Sequence, residues 1–245
     1  MLGMDHPQHV VHLEHDGKVL LVDDSGEGPH EAVKGRVIES PILRFPTPVE
    51  LSAMGIEWTS KRTVSLTDVH PDVRVDFGYP AIAWPSHWPW KDDVISDNAV
   101  HPVARESVYR TIHRVVSKVI VTDADGMVLM GRVARGHFVG MWTLPGGYLD
   151  HDEHPAAGCV REAMEEFGLS IHLTDTAPVV TQRVFDERGL SFLSFTYTAR
   201  SATRPEVTIE PSEIAEAGWF TPGEALRRAV SHFDATALRT HVERS

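Results

Sequence analysis

The chain has 245 residues, 42% of them hydrophobic and 24% charged, a composition typical of a folded globular protein. A formal charge of −12 argues against coating a nucleic-acid polymer, since phosphate contacts need a basic surface. One cysteine, Cys159, excludes an intramolecular disulfide, and no window approaches the roughly 18 apolar residues of a membrane span.

The N-terminal stretch is polar and histidine-rich, with no basic segment leading into an apolar core, so the expectation is a cytoplasmic protein with no membrane partner. His6, His9, His12 and His15 recur every third residue. On a strand that spacing alternates faces, so they are read as solvated rather than as a metal site. VVHLEHDGKVLLVDD is a hairpin candidate turning at Asp16-Gly17. VKGRVIESPILRF and VRVDFGYPAIAW add strand-like runs broken by prolines. The segment 80–102, with Trp84, Trp88 and Trp90 among prolines, reads as a connection between a β-rich N-terminal domain (1–105) and a second domain (106–245). Its tryptophans suit either packing on their own domain or an exposed stacking or association surface.

RESVYRTIHRVV is a short helix or the lead into a strand, and SKVIVTDADGMVLMGRV is a second hairpin, turning at Asp125-Gly126. The two hairpins align at a constant offset: Val10, Asp16, Gly17, Val19 and Leu20 with Val119, Asp125, Gly126, Val128 and Leu129. Any two Asp-Gly hairpins match to this degree, so duplication is an idea for the structure to test. MWTL is a short buried strand, and a helix follows from about His154 to Phe167. PVVTQRVFDERGLSFLSFTYTA gives two strands about a Glu187-Arg188-Gly189 turn, and AGWF a last one. Thr221-Pro222-Gly223-Glu224 is a capping box that starts a C-terminal helix. Strands interrupted by helices in this way suggest an α/β sandwich with a mixed sheet.

The most unusual segment is GGYLDHDEHPAAGCVREAMEEFGL, from Gly146 to Leu169. At about 100° per residue, Glu165 lies about 60° to one side of Glu162 and Glu166 about 40° to the other, so the three share one helix face. Cys159, Ala163 and Phe167 make an apolar stripe, and Gly168 suits a left-handed cap. Carboxylates this close repel one another unless a cation sits among them, and hard oxygen ligands suit Mg²⁺ or Mn²⁺. Gly146-Gly147 lets backbone approach the same point, and Arg161 can hold Glu153.

Gly147, Glu153, Arg161, Glu162, Glu165, Glu166 and Gly168 fill the seven fixed positions of a pattern resembling the Nudix box, GX5EX7REUXEEXGU. Leu169 fits the last bulky position, and Ala163 is smaller than usual at the first. The resemblance covers roughly Lys118 to Phe220. It implies a Nudix-type α/β/α sandwich with a mixed sheet, preceded by the β-rich domain. The activity implied is Mg²⁺-dependent hydrolysis (Mn²⁺ substituting) of a small nucleotide in which a nucleoside diphosphate is linked to another moiety. By matching position, Glu162, Glu165 and Glu166 are implied metal ligands, the Gly146 carbonyl joins them, and Arg161 with Glu153 orients the cluster. SEIAEAGWF resembles a segment that carries a further glutamate in NADH pyrophosphatases, which implies Glu213 as an extra ligand or base, with Glu216 second.

Downstream signatures for particular substrates are absent, with Val184 and Asp186 where two of them would carry other residues. Arg132, Arg135 and Arg183 are candidate phosphate contacts or plain surface residues. A possible homodimer accompanies the resemblance, and the N-terminal domain would serve dimerisation or substrate choice. A ligand-binding sensor on the same fold is the alternative, disfavoured by the intact set of glutamates. An isomerase using a catalytic cysteine is set aside because Cys159 lies on the buried stripe.

Overall fold

The computed structural model describes residues 8–66, 70, 72–136, 138–185, 190–229 and 231–244, with backbone alone at 183–185, 190 and 244. The chain divides into two units, Met1–Ile112 and His113–Ser245. The expected 187–189 turn, His6 and Asp186 lie outside the described residues, as do the side chains of Arg183 and Val184.

In the first unit β1 (His9–His15) turns through Asp16-Gly17 into β2 (Lys18–Val19), and both turn residues have positive φ, 47° and 84°. That is the left-handed pair a two-residue hairpin demands. A small ribbon, β3 (Val22–Asp23) with β4 (Leu43–Arg44), leads to helix α1 (Pro48–Ala53). Then come β5 (Trp58–Ser65), β6 (Arg74–Pro80) and helices α2 (Lys91–Ser96) and α3 (Pro102–Arg110). The sheet order is β2-β1-β6-β5, with β1 and β6 parallel.

Most of VKGRVIESPILRF is not strand. Asp97 and Asn98 side chains take the Val33 and Ile38 N–H groups at 2.8 and 2.7 Å, so its backbone is satisfied without a ladder. Helix α1 was not expected, although Thr47 and Glu50 form the same reciprocal cap as Thr221 and Glu224. Residues 80–102 supply α2 and the buried Trp88, Val94 and Val100 to this unit's core. Trp84 and Trp90 are half-exposed, 6.1 Å apart.

His12 corrects the reading of solvated histidines. It is fully buried between Phe45 and Phe77, 4.7 Å from each ring, with Nδ1 2.9 Å from Ser107 Oγ. Burial, aided by the Lys91 and Arg62 charges, lowers its pKa to about 3. An unfolded chain protonates this histidine near pH 6.5, so its contribution to stability is complete above that pH and is lost as pH falls toward 3. At pH 4.5 the loss amounts to roughly 2–3 kcal/mol. Thermal unfolding of His12→Phe between pH 7 and 4.5 should show a visibly smaller fall in Tm than the wild type.

The second unit runs β7 (His113–Thr122), β8 (Val128–Val133), β9 (Trp142–Thr143), β10 (Gly146–Tyr148), α4 (Pro155–Phe167), β11 (Val179–Phe185), β12 (Leu190–Arg200), β13 (Ile214–Phe220), α5 (Pro222–Arg228) and α6 (His232–Arg244). The expected single C-terminal helix is thus two. The sheet is mixed, in the order β11-β12-β7-β8-β13, with β7 and β12 parallel and β9 and β10 attached to β8 and β7. Alternation along β7 sends Val119 and Val121 to Cys159, Ala163 and Phe167 of α4, and Ile120 to Ala237 and Leu238 of α6. Helices therefore cover both faces, an α/β/α sandwich. Burying Phe167 alone contributes roughly 2–3 kcal/mol.

The two units repeat one topology. The order β2-β1-β6-β5 matches β8-β7-β12-β11, with the same parallel central pair. Val11 N–H donates to Pro46 O at 2.8 Å as Val119 N–H does to Pro145 O at 3.0 Å. Glu14 pairs with Val19 and Thr122 with Val128, so the first hairpin turn is one residue shorter. On the first strand the structural match is therefore Val11 with Val119, one residue from the sequence alignment. A one-residue slip exchanges the faces. With it, Val11, Leu13 and Leu20 face α1 as Val119, Val121 and Leu129 face α4.

Candidate active site

Helix α4 begins where His154 Nδ1 accepts the Ala156 N–H and Pro155 takes the first position. It ends at Gly168 with φ 65°, and Leu169 N–H closes onto Ala163 O at 3.1 Å. With the Cys159–Ala163–Phe167 stripe against the sheet, Glu162 and Glu166 are carried to the edge of the core and are buried. Glu165, one face further round, is exposed.

Arg161 organises the acidic residues. Its Nε and Nη2 reach Glu153 Oε1 and Oε2 at 3.0 and 2.9 Å, a bidentate pair. Nη1 donates to Glu162 and Glu165 at 2.9 and 2.8 Å, and Nη2 also to Tyr148 O. The Arg161 hydrogen bonds hold Glu153 below the usual carboxylate range. Burial pushes Glu162 up, and pushes Glu166 to about 8, the charge of Glu213 adding to both.

Two glycines form the opposite wall. A Cβ on Gly147 would stand 2.7 Å from Glu162 Oε1, so a larger residue would displace that carboxylate from its place beside Arg161. Gly146, at φ 138°, donates its N–H to Glu166 Oε2 at 2.9 Å. The neighbouring bonds, Val119 N–H to Pro145 O and Leu149 N–H to Val115 O, make Gly146 and Lys118 a pair outside the ladder bonding. The Gly146 carbonyl is thereby left for another partner.

These groups open into a cavity of about 490 Å³. Its lining includes Glu166, Gly146, Gly147 and Glu213, and also Val116, Tyr148, Phe192 and Phe233. Glu213 is on the cavity wall, in an ion pair with Arg135, which also lines it. Glu216 is not part of that wall and pairs with Arg132 at 3.0 Å. As placed, no three acidic, histidine or cysteine side chains among the described residues converge on one point. Arg161 draws Glu162 and Glu165 to itself, and Arg135 draws Glu213. Cys159 is buried with its pKa raised to about 11 by that burial, which removes it as a nucleophile.

Sequence reasoning missed Lys118, Thr143 and Asp234. Lys118 Nζ donates to Thr143 Oγ1 at 2.5 Å and Asp234 Oδ1 at 2.7 Å, and all three are buried. Asp234 Oδ2 accepts the Thr143 hydroxyl at 2.9 Å and the Leu144 N–H at 3.3 Å. A lysine directly ahead of the apolar run VIV, on a strand whose neighbours are buried, was a visible signal. Its partner on a distant helix was not.

The NUDIX domain family matches residues 112–240. A MutT-like protein of Streptomyces ambofaciens is 32% identical over 124 residues, spanning 51% of this chain and 74% of the relative. Among solved structures, a MutT NUDIX hydrolase from Burkholderia pseudomallei is 28% identical with a TM-score of 0.44, covering 52% of this chain and 97% of that one. A C. elegans Ap4A hydrolase complex is 15% identical with a TM-score of 0.47, covering 53% and 96%. The chain belongs to the Nudix family. Among the described residues no helix is long and apolar enough to cross a membrane.

Proposed function

We propose that the second unit binds Mg²⁺, with Mn²⁺ able to replace it, and hydrolyses the pyrophosphate bond of a nucleoside diphosphate linked to another moiety. The observation that carries this reading is the pair of buried glutamates, Glu162 and Glu166, both within reach of the Glu213 charge, with Glu166 and Glu213 lining one cavity. The donor set fits a hard divalent cation: carboxylate oxygens raised by burial and mutual repulsion, and a backbone carbonyl at Gly146 outside the ladder. Glu162, Glu165, Glu166 and the Gly146 carbonyl would hold it. Such an ion neutralises diphosphate oxygens and polarises the phosphorus under attack.

The chain's own residues do the rest. Arg161, fixed by Glu153, orients Glu162 and Glu165. Glu213, released from Arg135, accepts the proton of the attacking water as the bridging P–O bond breaks. Turnover by Glu213→Gln should fall about 100-fold or more with an unchanged melting curve, and near-normal kcat would take Glu213 out of the chemistry. Calorimetric titration with Mn²⁺ tests the site as a whole. The wild type should bind the ion, and Glu162→Gln/Glu166→Gln should lose that binding while staying folded. Equal binding by both proteins would contradict the proposal.

The first unit shares the fold but not the box. Its helix α1, PVELSA, carries one acidic residue, Glu50, which is tied up by Arg44 and the Thr47 cap, where α4 carries Glu162, Glu165 and Glu166. We assign it no hydrolytic chemistry and keep it for dimerisation or substrate choice.

A further inference from the structure

The repeated topology provides an internal control for the buried Lys118–Asp234 pair. Lys118 precedes Val119 as Val10 precedes Val11. Asp234 is the third residue of α6 and Ala104 the third of α3, two helices that occupy matching places in the two units. Val10 and Ala104 belong to one fully buried apolar cluster. The same fold thus closes this position with two small hydrophobic side chains in one unit and with an ion pair in the other. Burying an ion pair is generally no more stabilising than an apolar pair, so stability does not explain the charged version.

Its location does. Lys118 lines the cavity that Glu166, Tyr148, Phe192 and Phe233 also line, and it pairs with Gly146 across the sheet, two residues along the same ladder from the Val116–Tyr148 pair. An ammonium has three N–H donors, and Thr143 and Asp234 take two. Asp234 is itself engaged by Lys118, Thr143 and Leu144. What the floor offers a ligand is therefore one rigidly held donor. Around it stand Tyr148, Phe192 and Phe233, with Phe192 ring centroids 6.1 Å from Tyr148 and 6.3 Å from Phe233. Flat apolar walls suit a planar heteroaromatic group.

We infer that Lys118, positioned by Asp234 and Thr143, selects substrates whose nucleobase presents a ring carbonyl to this floor, and disfavours bases with an amino group or hydrogen there. The inference rests on the pyrophosphohydrolase reading and specifies the substrate class of the same site. An amino group would set donor against donor, and hydrogen would leave the buried ammonium without its third bond.

Calorimetry with Mg²⁺ and three nucleotides differing only at purine C6 tests it: inosine diphosphate (carbonyl), purine riboside diphosphate (hydrogen) and adenosine diphosphate (amino). The wild type should bind the first about 10- to 100-fold more tightly than the other two. In Lys118→Val/Asp234→Ala, the combination found in the first unit, that ratio should fall below about threefold. Thr143→Val, which keeps the ion pair, should lower it partway and serves if the double variant does not fold. A wild-type ratio within threefold, a preference for the amino base, no binding of any of the three, or an unchanged ratio in both variants overturns the inference. Hydrolysis is scored separately: discrimination without turnover fails the hydrolase reading alone, and turnover without discrimination fails this inference alone.

Discussion

Glu166→Gln should lower kcat/KM by about 1000-fold and leave the metal-free protein at least as stable as the wild type. The two halves of that expectation have one cause. Glu166 is buried, and burial raises its pKa to about 8, well above the unfolded value near 4.5. For a carboxyl raised in this direction the folded state holds the proton more tightly. Stability without metal is therefore complete below pH 4.5 and declines as pH rises toward 8. Glutamine keeps the shape and an oxygen that accepts the Gly146 N–H, and removes the charge whose burial is costly. A structural carboxylate would behave oppositely, losing stability and keeping turnover. Melting curves in chelator at pH 8, alongside kinetics in Mg²⁺, separate the two. A variant that melts well below wild type in chelator, or keeps a tenth of its activity, contradicts the ligand role.

The largest expected stability effect is at Asp234. Asp234→Ala leaves the Lys118 ammonium buried without its counter-ion and strips an acceptor from Thr143 and Leu144. The expected cost is about 3–5 kcal/mol, a fall in Tm of roughly 10 °C for a unit of this size. Adding Lys118→Val should recover most of that loss, because valine and alanine already close the matching position in the first unit as Val10 and Ala104. Thermal unfolding of wild type, single and double variants forms the set. A double variant no more stable than Asp234→Ala would show that the two units do not pack this position alike.

The contrast between what could be read from sequence and what could not is one of range. Helix α4 was legible down to its caps because its information is local. The 100° rotation per residue places Glu162, Glu165 and Glu166, and Gly168 marks the end. Rotation alone does not separate their burial, however. Glu162 and Glu166 are buried while Glu165 is exposed, because the sheet lies against one side of that face. The Lys118–Asp234 pair joins residues 116 apart, and Arg135–Glu213 joins residues 78 apart. No local pattern encodes either. His12 differs from the expectation because β1 is covered on both faces, which a spacing of three does not reveal. The repeat between units was nearly lost for a similar reason, since one residue fewer in the first turn shifts the alignment onto the wrong face. The capping box at Thr47–Glu50 was legible and was passed over among strand-like neighbours.

The central claim, metal-dependent cleavage of a pyrophosphate bond, is tested most directly by following phosphorus-31 spectra of a nucleotide panel with the full chain. The panel comprises ADP-ribose, NADH, FAD, nucleoside triphosphates, dinucleoside polyphosphates and CoA. With Mg²⁺ at least one member should give two phosphate-bearing or nucleotide products. The reaction should stop on adding EDTA and resume with excess Mg²⁺. No turnover of any member by the wild type, or turnover indifferent to EDTA and to Glu166→Gln, would contradict the account.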